Sequence, residues 1–102
     1  MPKNVINRNI VYMRAISLIV NEDGQIKEYD FLRVDGSDYE NATYRLLLKL
    51  DGGFHTIRDF QGTMEQNAKE LSSFFRNKKN SKIIDISGDF DLKQIVNNDY
   101  SR

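Results

Sequence analysis

His55 and two acidic clusters are the residues whose types best suit chemistry. His55 is the single histidine of the chain. A general base needs a nucleophile, or a carboxylate that orients it, within hydrogen-bond reach. On an alternating strand Asp59 shares its face but stands too far along to touch. His55 is therefore read as a surface or half-buried histidine without a catalytic role. Asp85, Asp89 and Asp91 gather around Gly88, and Asp35, Asp38 and Glu40 around Gly36. Oxygen ligands of this kind suit magnesium or calcium. A calcium loop, however, sets aspartates at alternate positions leading into a glycine, with a bidentate glutamate at fixed spacing beyond. Neither cluster follows that spacing. Aspartates beside glycines shape turns and caps, so no metal and no cofactor is assigned.

Other catalytic patterns are missing. There is no glycine-rich phosphate loop, no Gly-x-Ser-x-Gly elbow and no His-Glu-x-x-His pair. Gly52-Gly53 precedes a strand, whereas phosphate cradles precede a helix N-terminus. The absence of cysteine removes disulfides, thiolate nucleophiles and cysteine-ligated metal sites. The reading is a non-enzymatic domain with no small-molecule substrate evident.

Two binding chemistries remain. Arg76, Lys78, Lys79 and Lys82 are the one basic concentration, and Arg33, Arg45 and Arg58 alternate with Tyr44, Phe54 and Phe60. Aromatic rings beside arginines on an open sheet suit single-stranded nucleic acid, through stacking and phosphate neutralisation. Against this, fifteen basic residues balance fifteen acidic ones, whereas most nucleic-acid binders carry a basic excess. Zero net charge leaves association with protein less opposed. The preferred reading is an interaction or regulatory module that presents a sheet face or edge to a protein, including a second copy of itself. Its candidate interface is Tyr29, Phe31, Arg33, Arg45 and Leu47. The nucleic-acid alternative uses Arg33, Arg45, Arg58, Arg76, Lys78 and Lys79.

The elements that must position these residues follow from hydrophobic period. At 102 residues the chain has room for one domain. Apolar residues mostly alternate before Gln61-Gly62-Thr63 and recur every three to four residues after it. Residues 1–8 read as loose. Lys3 and Arg8 followed by the apolar run 10–20 imitate a signal peptide, but Arg14 interrupts the run and no small-residue cleavage site follows. The run is also too short to span a bilayer, and a cytoplasmic, membrane-free protein is expected. Its two faces, Tyr12, Ile16, Leu18 and Val20 against Val11, Met13, Ala15 and Ile19, predict a strand inside the sheet. Asn21-Glu22-Asp23-Gly24 reads as a turn into a second strand over 25–34.

Residues 37–50 admit two readings. Ser37 with Glu40 could open a helix by a capping box. A strand over 42–50, turning at Asp51-Gly52-Gly53 into alternating Phe54, Thr56, Arg58 and Phe60, is preferred. Thr63, Gln66 and Glu65 open a helix over 63–79, with Met64, Ala68, Leu71, Phe74 and Phe75 as its buried stripe. Residues 82–87 return as a short strand. Phe90, Leu92, Ile95 and Val96 suit a short terminal helix capped by Asp89 or Asp91, with 98–102 loose. The fold class is α+β: an antiparallel meander of about four strands, one amphipathic helix on one face, then a strand and a short helix. Tyr29, Phe31 and Leu47, with Val11 and Met13, are expected on the face the helix leaves uncovered.

Overall fold

The computed structural model describes residues 14–36 and 40–102. Four strands follow in a meander: β1 (Ala15–Glu22), β2 (Gln25–Gly36), β3 (Ala42–Leu50) and β4 (Gly53–Gly62). Helix α1 (Met64–Asn77), strand β5 (Ser81–Gly88) and helix α2 (Phe90–Tyr100) complete the order. All strand pairs are antiparallel, in the order β4-β3-β2-β1-β5. The chain thus leaves the meander at one sheet edge, passes through α1 and returns as β5 at the other. The expected α+β class is observed, and the returning strand joins the same sheet as its fifth member. No helix among the described residues is long and apolar enough to cross a membrane.

The first hairpin sets which residues face the helices. Glu22 pairs with Gln25, leaving a two-residue turn of Asp23 (φ 54°) and Gly24 (φ 84°). Positive φ at both positions is the turn geometry whose twist matches that of paired strands. The register that follows sets Ile16 opposite Phe31 and Leu18 opposite Tyr29. Directly opposed residues share a face, so Phe31 and Tyr29 join Ile16, Leu18 and Val20 in the core. This corrects their expected place on the uncovered face. A strand offers no sign of which face is covered; the register to β1 decides it.

Residues 42–50 form a strand, as preferred. Ala42, Tyr44 and Leu46 are buried, and Thr43, Arg45 and Leu47 point to the other face. The next strand departs from simple alternation. Leu46 pairs with Arg58 but Leu47 pairs with Thr56, so Ile57 is an extra residue in a β-bulge. The bulge puts Phe60 and Phe54 on opposite sides of the sheet, where alternation places them together. Phe60 is buried and Phe54 is exposed. The same shift separates His55 from Asp59.

Both helices cover one face of the sheet. Thr63 caps α1: its hydroxyl accepts the Gln66 N–H at 3.1 Å, and the Gln66 side chain accepts the Thr63 N–H at 2.9 Å. Met64, Ala68, Leu71 and Phe75 are buried as expected, while Phe74 is only partly so. Two polar residues share the buried stripe. Asn67 donates to the Ala42 carbonyl at 3.1 Å, stitching α1 to β3. Ser72 hydrogen-bonds the buried Asp99 of α2. Asp89 caps α2 by accepting the Leu92 N–H. The expected loose end at 98–102 is corrected, because α2 runs to Tyr100 and Asp99 anchors it. The expectations for residues 1–8, Val11, Met13 and the Ser37 helix start lie outside the described residues.

The β5 edge is blunted. Ile84 is an extra residue where the β1–β5 register shifts. The Tyr100 hydroxyl accepts the Ile83 N–H at 3.1 Å.

Candidate functional site

Strand β4 is the sheet's other edge, and no described strand pairs with its outer side. Its backbone groups there are a template for another strand. All its residues except Phe60 and Gly62 are exposed. Phe54 and Ile57 add apolar surface. At the same end of the sheet Ile26 and Leu50 are exposed beside a shallow depression of about 390 Å³.

The two sides of this edge differ electrostatically. On the helix side, the Arg58 guanidinium lies 5.0 Å from the Phe60 ring centre and 5.9 Å from that of Phe74. The Lys78 ammonium lies 5.9 Å from the same Phe74 ring. Phe74 in turn meets Phe75 edge-on. A groove of about 320 Å³ runs here between β4 and α1, lined by Arg58, Lys69, Glu70, Ser73, Phe74 and Asn77. On the uncovered side charges are balanced in pairs. Arg45 holds Asp59 through two bonds of 2.8 and 3.0 Å, which keeps the Asp59 carboxyl below its usual range. Lys49 stands 3.8 Å from Glu28, and Ser17 donates to Asp30. Ile19, Leu32 and Leu47 are half-buried among them.

The interior holds a polar cluster that sequence reasoning missed. Glu22 is buried at the end of β1. It accepts from the Tyr29 hydroxyl at 2.5 Å and pairs with Lys27 at 3.1 Å. Burial, then the Glu22 contact, raises the Tyr29 phenol well above its usual value. Burial likewise raises Tyr44, whose hydroxyl has no hydrogen-bond partner among the described residues. Asp99 is held below its usual range by the Ser72 hydrogen bond, outweighing burial, with help from Arg76 and Arg102. Only the place of Glu22, two residues after a core valine on the same strand face, signals its burial in the sequence.

The residues singled out earlier are dispersed. Of the interface set, Arg45 and Leu47 lie on the uncovered face. Tyr29 and Phe31 are core, and Arg33 sits opposite Tyr44 beside a bulge in β2. The nucleic-acid set is not gathered on one surface. Arg45 faces away from the helices, Arg58 and Lys78 flank Phe74, and Arg76 donates to the Asp99 carbonyl at 2.7 Å. Tyr44 and Phe60, the stacking candidates beside them, are buried. His55 is exposed opposite Leu48, with no bond to a described carboxylate. Asp89 and Asp91 serve the α2 start and contact Arg14 at 2.8 and 3.4 Å, while Asp85 is exposed on β5. No group of three acidic or histidine ligands suited to a metal occurs among the described residues. The chain matches no known protein-family model, no curated protein and no solved structure.

Proposed function

We propose that this domain is a non-enzymatic protein-interaction module that binds an extended segment of a partner, a second copy of itself included, as a sixth strand on β4. One observation carries the reading: β4 is a ten-residue edge strand, exposed nearly throughout, while the opposite edge is blunted by Tyr100. Strand addition draws affinity from main-chain hydrogen bonds and specificity from alternate side chains. Long exposed edges are ordinarily blunted or covered, and on β4 a single bulge is the main backbone interruption.

The test pans a displayed library of peptides about ten residues long against the folded chain. Selected peptides should slow hydrogen exchange of β4 amides. They should also lose binding when N-methylated at alternate positions on their bonding edge, and keep it when the other set is methylated. Sedimentation at micromolar concentration examines a second copy in the same role. Neither a peptide nor a second copy protecting β4 amides overturns the reading.

A further inference from the structure

The helix side of β4 narrows what the edge can take. Arg14, Arg45, Lys49, Lys69 and Arg76 each hold a carboxylate oxygen within 3.8 Å. Arg58 and Lys78 hold none among the described residues; their contacts are the faces of Phe60 and Phe74. What sets these two cations apart is their place over aromatic rings beside an open strand edge, with no ion pair to a described carboxylate, although Glu70 lines the groove next to Arg58. Incoming residues on a sixth strand would point alternately to the two sides of the sheet. Those on the helix side would meet Arg58 first and Lys78 behind it. Those on the other side would meet Asp59, already satisfied by Arg45.

We infer that the segment received by β4 is acidic, with carboxylate side chains at alternate positions directed to Arg58 and Lys78. This rests on the strand-addition reading and adds the chemistry of its occupant. An arginine offers a carboxylate paired, directional hydrogen bonds that a lysine matches only as a point charge, so Arg58 is the principal contact. A nucleic acid fits the surface less well. Arg58 already covers the rings of Phe60 and Phe74, and a sugar-phosphate chain has no run of N–H donors to match the carbonyls of a strand edge.

The test uses fluorescein-labelled peptides of about ten residues, one alternating valine with glutamate and one alternating valine with glutamine. Anisotropy at low salt should show the glutamate peptide binding about tenfold more tightly, the worth of one charge-assisted contact, and raised salt should remove that advantage. The double variant R58Q/K78Q should erase the preference and leave the glutamine peptide unaffected. The reversed pair R58E/K78E should prefer a valine–lysine peptide. Circular dichroism confirms that each variant folds; should either fail, the two-peptide comparison on the unaltered chain still decides. Equal affinities, with β4 amides protected in both complexes, overturn the acidic occupant while the edge reading stands. Absence of β4 protection by either peptide counts against both. An oligothymidylate that displaces the glutamate peptide with comparable affinity reassigns the surface to nucleic acid and overturns the inference.

Discussion

The Tyr29 hydroxyl donates to the Glu22 carboxylate at 2.5 Å inside the β1–β2 hairpin, with Lys27 completing the ion pair from the half-buried rim. Tyr29 also meets Phe75 of α1 edge-on, with ring centres 5.1 Å apart. One side chain thus packs a helix on the sheet and satisfies a buried charge. Tyr29→Phe keeps the ring and removes the donor, leaving the carboxylate under-bonded. A loss of about 1–3 kcal/mol is expected, read by urea titration. An unchanged midpoint would mean that Lys27 alone satisfies Glu22.

Alkaline behaviour follows from the same contact. The folded Tyr29 and Tyr44 phenols are raised above their unfolded value, so the native state holds their protons longer. Stability from these groups is intact below about pH 10 and declines above it, as unfolded tyrosines ionise. In an absorbance titration two of the five tyrosines should ionise late or only on unfolding. All five titrating together near the ordinary value would contradict their burial.

Asp99 produces the opposite dependence. Its carboxyl is lowered in the folded state, so its contribution is full above the unfolded value of about 4 and is lost as pH falls below that. Asp99→Asn should flatten the acid limb of the stability curve. Ser72→Ala should cost about 1–2 kcal/mol at neutral pH and loosen α2 first, seen as faster exchange at its C-terminal amides.

The start of α1 gives a further check. Thr63→Ala removes one half of a reciprocal cap and should cost about 1 kcal/mol, lowering the melting temperature by roughly 4–8 °C for a domain of this size. Thr63→Ser, which retains the hydroxyl, should restore most of it.

Gly88 is a backbone position with no room for a side chain. At φ 120°, an added Cβ would lie 2.5 Å from the Ala15 carbonyl oxygen and 2.8 Å from the Ile16 Cα. Gly88→Ala should cost about 1–3 kcal/mol from backbone strain alone, with the clash added. Thermal melts should show it less stable than Gly24→Ala, where nothing lies within 4 Å.

Local signals were legible where one residue type carries them. The cap of Thr63 with Gln66 forms as read; the turn expected over 21–24 narrows to Asp23-Gly24, because Asn21 and Glu22 stay in β1; and of the two caps offered for α2, Asp89 is the one used. What escaped depends on register. Nothing in the alternation of Tyr29 and Phe31 says which side a helix covers; pairing with Leu18 and Ile16 does. The Ile57 bulge has no mark in Phe54-His55-Thr56-Ile57-Arg58, yet it reverses every side chain beyond it. Of the six cations grouped for the nucleic-acid alternative, only Arg58 and Lys78 share an aromatic ring. Their meeting on Phe74 needs the packing of α1 beside β4, which is tertiary.

The hydrogen bond from Ile83 to Tyr100 also limits growth. Fibres extend by strand pairing only when each added unit leaves another open edge. Here α2 occupies one amide of the β5 edge, next to the bulge at Ile84. Copies that join through β4 meet about a two-fold axis and then present only blunted strands outward, so association by this route ends at the pair.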